Sequence, residues 1–251
     1  MKYTALVCLF AFMGCCKPAP RVVLYCGQDR EFAEEILADF TRETGIRVEL
    51  RTDTEADKSV SLFEAIVRES HHPRCDVFWN GEVLNTIRLG RLGHLRAHET
   101  KVMQPGPGWP RSTENLWHPL AGRARVLIVS TRPEVLAEAD RPQSILALTE
   151  SNWKGRVAIA KPAFGTTAMH AACLFEALGA ERAQRFYREL RSNATVLPGN
   201  KDVALAVAAG QFAVGFTDTD DAIVEAKRGQ PVAIVYPDQQ GMGTLFFPNT
   251  V

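Results

Sequence analysis

The chain has 251 residues, 46% of them hydrophobic, enough to bury a core as one large domain or two small ones. Twenty-nine basic and 29 acidic residues balance, so no global field recruits nucleic acid or an anionic membrane, and recognition has to come from a local site. No Gly-x-x-x-x-Gly-Lys-Ser/Thr run is present to cradle a nucleotide triphosphate.

At the N-terminus, Lys2 precedes an apolar stretch from Ala5 to Met13, too short to span a bilayer and shaped like the h-region of a secretory signal. Phe12-Met-Gly-Cys15 resembles a bacterial lipoprotein signal, which implies cleavage before Cys15 and a lipid on its sulfur. Cys16 is a second candidate, and an ordinary signal with a fortuitous cysteine is the alternative. Lys17-Pro-Ala-Pro20 reads as a tether, which makes residues 1–20 signal and linker.

Val22 to Tyr25 is a short apolar strand, and Phe32, Ile36 and Phe40 then recur at helical spacing until Gly45. Ile46, Val48 and Leu50 alternate as a strand, and Val60, Phe63, Ile66 and Val67 mark a second helix. Asp76 to Trp79 and Glu82 to Leu92 repeat the pair. Such alternation predicts a parallel sheet covered on both faces. Residues 97–118 break the rhythm with Pro105, Pro107 and Pro110. A strong strand, Arg125 to Ser130, follows. The alternation restarts with strand Val157 to Ala160 and helices Thr167 to Leu178 and Glu181 to Arg191. Strand Thr195 to Leu197 then leads to helix Asp202 to Ala209, strand Phe212 to Phe216 to helix Ala222 to Arg228, and Val232 to Tyr236 closes the set. Cys26 follows one strand and Cys75 precedes another. As parallel neighbours these would hold the thiols at opposite sheet ends, so Cys16, Cys26, Cys75 and Cys173 are expected to be free and mostly buried.

Two loops carry candidate chemistry. The apolar strand ending at Thr217 runs into Asp218-Thr-Asp220-Asp221, three carboxylates that repel one another unless a cation balances them. Ligands in α/β folds sit at such C-terminal strand tips. The plainer alternative is a cap: Asp218 capping the next helix, with Asp220 and Asp221 in its first turn. Pro162-Ala-Phe-Gly165-Thr166-Thr167-Ala168 joins a strand to a helix, where free N–H groups and two hydroxyls can converge on an anion. A plain cap by Thr166 fits the same geometry. Asp218-Thr-Asp220 also imitates the Asp-x-Asp of haloacid-dehalogenase-like phosphatases, with nucleophile, general acid and Mg²⁺. That motif belongs to a first strand, and here it stands near the chain end, so an enzyme is not expected. His71-His72-Pro-Arg-Cys75-Asp76 has no strong zinc spacing, and His118 and His170 read as structural.

Val22-Val-Leu-Tyr-Cys-Gly-Gln28, Phe40-Thr-Arg-Glu-Thr-Gly-Ile-Arg-Val48, Asp76-Val-Phe-Trp79, Gly122-Arg-Ala-Arg-Val-Leu-Ile128, Trp153-Lys-Gly-Arg-Val157, Gly199-Asn200 and Gly243-Thr-Leu-Phe-Phe-Pro-Asn-Thr250 stand in one order. In that order they resemble the periplasmic solute-binding proteins of ABC importers, in the cluster that includes the ferric-iron-binding proteins. The resemblance implies a two-lobed α/β fold of the type II periplasmic-binding-protein kind. Lobe 1 would be 21–125 plus 244–251 and lobe 2 126–243, with Arg123 to Ser130 and Thr244 to Val251 as crossing strands. Members of the family continue past the return strand, so the expectation is a fold truncated at the C-terminus, with lobe 1 incomplete.

The resemblance also implies a site. Asp29 and Glu82 fall on metal-ligand positions, and Asp220 and Asp221 stand where iron binders carry two adjacent tyrosines. Hard oxygen ligands suit Fe(III) or another hard cation, with a phosphate-like anion at Gly165, Thr166 and Thr167. An all-carboxylate site would also suit a polyamine, and a small oxyanion without metal is a further alternative. Asp29 could instead cap the helix after it. Asn200 matches a position that bonds the anion or ligand, and Asp218 is a further ligand-binding candidate. Of Arg123 and Arg125, only one is expected to face the cleft. Trp79 is expected to pack in the core or floor the pocket. The implied setting is a monomeric receptor in the periplasm or at the cell surface, held to the membrane by a lipid anchor. Its partners would be a permease with its ATPase, and a small solute or metal ion.

Overall fold

The computed structural model describes residues 19–53, 60–100 and 108–251. The signal segment with Cys15 and Cys16, and also Pro105 and Pro107, lies outside the described residues.

The N-terminal half builds a parallel three-stranded sheet of order β2-β1-β3, from β1 (Arg21–Cys26), β2 (Arg47–Thr52) and β3 (Val77–Trp79). Its helices are α1 (Arg30–Thr44), α2 (Val60–Arg68) and α3 (Val83–Arg91). The period of two along β1 feeds both faces. Leu24 and Cys26 pack with Ala33, Leu37 and Trp79, while Tyr25 packs with Leu62, Phe63, Phe78 and Leu89. Gly45 ends α1 in the left-handed region at φ 71°, and its N–H donates to the Thr41 carbonyl.

The second sheet has the order β6-β5-β7-β4-β8: β6 (Ala194–Leu197), β5 (Val157–Ala160), β7 (Val214–Asp218), β4 (Pro119–Ser130) and β8 (Val232–Val235). β5 runs parallel to β6 and β7, but β4 is antiparallel to β7, to β8 and to β9 (Phe246–Thr250). The expectation of a parallel sheet therefore holds only for the strands linked by helical crossovers. β4 enters from the other sheet, so no crossover dictates its direction. Its pairing changes partner partway: Pro119 to Ala124 pair with β9, and from Arg125 onward it pairs with β7 and β8. A bridge between Asn80 and Thr250 ties β9 to the end of β3. β4 and β9 thus connect the two α/β units.

Helices α4 (Gly165–Leu178), α5 (Ala180–Asn193), α6 (Asn200–Ala208) and α7 (Thr219–Lys227) cover the second sheet. On one face Leu127, Val129, Trp153, Phe186, Leu190 and Phe216 share a core; on the other Val126 and Ile128 meet Ala204, Val207 and Ala222. Several boundaries differ from the periodicity reading. β7 extends through Thr217 and Asp218 because β4 pairs with both, and α7 starts at Thr219 rather than Ala222. α6 starts at Asn200 because Asp202 reaches back to the Gly199 N–H.

Cys26, Cys75 and Cys173 are free thiols, but only Cys26 is buried. The parallel register Cys26↔Trp79 leaves Cys75 at the far end of the sheet from Cys26. Among the described residues no helix is long and apolar enough to cross a membrane.

Candidate functional site

β5 and β7 run in the same direction, so their C-terminal ends deliver the loops before α4 and α7 to one edge, beside the loop from β6 to α6. Three helix N-termini, each with unpaired N–H groups and a partial positive charge, open there. The cavity they frame measures about 40 Å³, and its lining includes Gly27 from the first lobe together with Arg123, Thr166, Asn200, Asp218 and Asp221. Sequence reasoning placed most of these, but missed Gly27 and Lys161. The Gly27-Gln28 turn after β1 and the lysine after β5 were signals available for both.

Asp218 occupies the N-cap position of α7, yet its side chain makes no capping bond. Its carboxylate turns inward and is 1% exposed. Arg125, equally buried and directly opposite across the β4–β7 ladder, donates Nη1–H to Oδ1 at 2.8 Å. Asn200 Nδ2 donates to Oδ2 at 3.0 Å, and the Thr166 hydroxyl donates to the same oxygen. Thr166 is therefore not a cap but an internal donor. Thr167 Oγ1 donates to Asn200 Oδ1 at 3.2 Å, and Arg125 Nη1 donates to the same Oδ1 at 2.8 Å, so Asn200 links both sides. Burial pushes the Asp218 carboxyl up, but Arg125, Arg123 and these hydrogen bonds outweigh it and hold the pKa below the usual 3.8. Oxygens so committed suit neither a phosphatase nucleophile nor a sole metal ligand.

Arg123 lines the cavity and Arg125 is not among the residues that do, although strand alternation gives no reason to separate them. Residues two apart on a strand share a face, and both guanidinium groups reach Asp218. Arg123 Nη1 donates to Asp220 Oδ2 at 2.7 Å, Nη2 donates to the Gly81 carbonyl at 3.0 Å, and Nε lies 3.6 Å from Asp218 Oδ2. Burial works against the charge on Arg123, but Asp220 and Asp218 hold its pKa above the ordinary value.

One oxygen each from Asp218, Asp220 and Asp221 comes within 4.8 Å of the others, the grouping among described residues with the donor set for a metal ion. Glu82 and Asp29 are outside it. Glu82 caps α3: its carboxylate accepts from the Leu84 N–H at 2.5 Å and the Asn85 N–H at 3.0 Å and is bonded by Asn80. Burial raises its pKa. Asp29 sits at the α1 N-cap position without a side-chain capping bond, so the plain cap also fails. It lines a neighbouring, more open cavity of about 560 Å³ with Arg30, Glu31, Lys201, Asp202 and Leu205. There Lys201 Nζ donates to Glu31 Oε1 at 3.0 Å, across the two lobes. Trp79 packs among Leu24, Cys26 and Ala33 rather than lining the smaller cavity.

His170 is buried beside Phe216, its Nε2 against the Met242 carbonyl at 2.5 Å. Burial first, then Arg125, lowers its pKa to about 4. His118 Nε2 bonds the His98 carbonyl at 2.7 Å. Each ring thus contacts a backbone carbonyl.

A sequence profile described as bacterial extracellular solute-binding protein matches residues 22–251. The major ferric iron-binding protein of Neisseria meningitidis is 28% identical over 193 residues, which cover 76% of this chain and 56% of that protein. Iron uptake protein A1 of Synechocystis is 28% identical over 243 residues, covering 88% of this chain and 62% of that one. The chain thus spans little more than half the length of these relatives. Among solved structures, iron-bound HitA from Pseudomonas aeruginosa superposes with TM-score 0.81 at 23% identity, over 92% of this chain and 74% of that one. AfuA from Actinobacillus pleuropneumoniae, with fructose-6-phosphate bound, gives TM-score 0.79 at 24% identity, over 92% and 72%. At such identities the likeness establishes the two-lobed fold.

Proposed function

Because the chain belongs to the bacterial extracellular solute-binding proteins, we propose that it is the receptor of an ABC importer, closing its lobes on a small solute for a membrane permease and its ATPase. The solute in this reading is ferric iron or another hard cation, held with a phosphate-like anion. The observation that carries it is the meeting of carboxylate oxygens and helix N-termini in one cavity. Asp220 and Asp221 offer oxygen to the cation, and the backbone N–H groups that open α4 and α6, at Gly165, Thr166, Thr167 and Asn200, offer donors to the anion. Relatives named for ferric iron and iron uptake support the choice. A supporting role for Asp29, outside the acidic grouping, is favoured by Lys201, whose pKa is raised by Glu31 and also by Asp29 and Asp221. The lobe division at 125/126 and 243/244 is supported by the change of partner along β4. The receptor acts outside the cytoplasm as a monomer, anchored through Cys15, and labelling with a fatty-acid probe that survives Cys15→Ser would refute that anchor.

A second reading, a small oxyanion solute without metal, is favoured by one observation: Arg125 and Arg123 already balance Asp218 and Asp220. Calorimetry with Fe(III)-citrate, Ca²⁺, spermidine and phosphate separates them. The cation reading expects heat with a metal that Asp220→Ala abolishes. Binding of phosphate alone, unchanged by Asp220→Ala, would sink it.

A further inference from the structure

Glu31 stands on the first turn of α1, in the first lobe, and the cations nearest it belong to the second. Lys201, on the first turn of α6, donates Nζ–H to Glu31 Oε1 at 3.0 Å. Arg228, at the C-terminal cap of α7, brings Nη2 to 4.0 Å from Glu31 Oε2. Among the described residues these are the ion pairs that join a helix of one sheet to a helix of the other. Arg228 is already held by Glu225 at 2.7 Å, so Lys201 is the main partner. Local chemistry does not account for Lys201. A helix N-terminus carries partial positive charge, which suits Glu31 at the start of α1 but disfavours a lysine at the start of α6. A residue that breaks a local rule points to a gain made elsewhere in the fold, and here the gain lies across the lobes.

We propose that Glu31 and Lys201, with Arg228 in support, form an electrostatic latch between the lobes that biases the empty receptor toward its closed form without touching the solute. The inference rests on the receptor reading, since it needs lobes that open, and it adds what draws them together between solutes. Glu31 and Lys201 line the larger, more open cavity, and neither lines the smaller one where Asp218 and Asp221 stand. The latch is therefore separable from the solute site. Both side chains are 41% exposed, so water and salt reach the pair and keep it weak. Weakness is what a reversible latch requires. A contact that shifts the closed-to-open ratio by no more than about fivefold leaves an equilibrium that solute can still move.

Small-angle X-ray scattering of the whole unliganded chain, fitted to an open and a closed form, reads the latch. In low salt, Glu31→Gln and Lys201→Gln are each expected to shift the closed-to-open ratio about two- to fivefold toward open. The double variant is expected to go no further than Glu31→Gln alone, because both changes remove one contact. Raising NaCl to about 1 M, where the Debye length is near 3 Å, is expected to open the wild type and leave Glu31→Gln unchanged. Glu35→Gln removes an exposed charge from the same helix and is expected to match the wild type. Single variants that keep the wild-type ratio in low salt, or whose shifts add in the double variant, overturn the latch. Calorimetry with Fe(III)-citrate on the same samples separates this outcome from failure of the receptor reading. Heat in the wild type beside unchanged scattering in the variants removes the latch and leaves the receptor. Opened variants beside a wild type that takes no Fe(III)-citrate keep the latch and refute the proposed cargo.

Discussion

Replacing Asp218 with asparagine removes one charge at almost constant shape from the most buried ion pair of the second lobe. The carboxylate accepts from Arg125 at 2.8 Å and Asn200 at 3.0 Å, and from Thr166, with Arg123 at 3.6 Å. Arg125, 1% exposed, would keep Asn200 Oδ1 at 2.8 Å, the Phe216 carbonyl at 3.3 Å and the Phe216 ring at 4.5 Å. Its charge would have no anion at contact distance. Breaking a buried pair from one side costs about 3–5 kcal/mol, and the remaining contacts of Arg125 place this case near 3 kcal/mol. That is a large share of a total stability of about 5–15 kcal/mol. Urea unfolding followed by tryptophan fluorescence at pH 7 measures it. Because the folded pKa of Asp218 is depressed, its contribution is complete above the unfolded value near 3.8 and is lost as pH falls through the lower folded value. The gap between wild type and Asp218→Asn should therefore close in acid. A gap under about 1 kcal/mol at pH 7, or one that persists undiminished in strong acid, refutes the reasoning.

His170, depressed from 6.5 to about 4, contributes stability that is complete above 6.5 and lost as pH falls toward 4, up to roughly 3 kcal/mol. Urea midpoints between those values should slope in the wild type and flatten in His170→Gln. Gly215→Ala would set a Cβ 2.5 Å from Val203 Cγ1 and 2.9 Å from Ile128 Cγ2, between β4 and α6. A loss of about 1–3 kcal/mol is expected in chemical denaturation, as for other overpacked cores. Glu82→Ala removes the acceptor for the Leu84 and Asn85 N–H groups and should cost about 1 kcal/mol in the same assay. With its carboxylate held in that cap, metal affinity should change less than in Asp220→Ala.

Local pattern carried most of the architecture. The apolar run Val22 to Tyr25, period two in Ile46 to Leu50 and helical period in Val60 to Val67 report which side of an element meets apolar neighbours, whereas Ile36 and Phe40 of the first helix stand exposed. That property belongs to the element itself. Loops that end strands and open helices were legible for the same reason, and Gly165 to Thr167, Asn200 and Asp218 do converge at one cavity. The partnership of Arg125 with Asp218 was not legible. The two residues are 93 apart, and they meet only because β4 pairs antiparallel with β7 in one register.

The sequence alone determined the two-lobed α/β class, the position of the acidic turn at a strand tip and the helix N-termini that could receive an anion. The strand tip and the helix N-termini are each set by residues within a few positions of one another, while the two lobes were implied by a resemblance that runs the length of the chain. Tertiary structure decided what those charges do. It turned Asp218 inward to two arginines, drew Arg123 between Asp220 and the Gly81 carbonyl, and held Glu82 in a helix cap. Charge–charge energy depends on distance and burial, and neither quantity exists until strands from separate parts of the chain are in register.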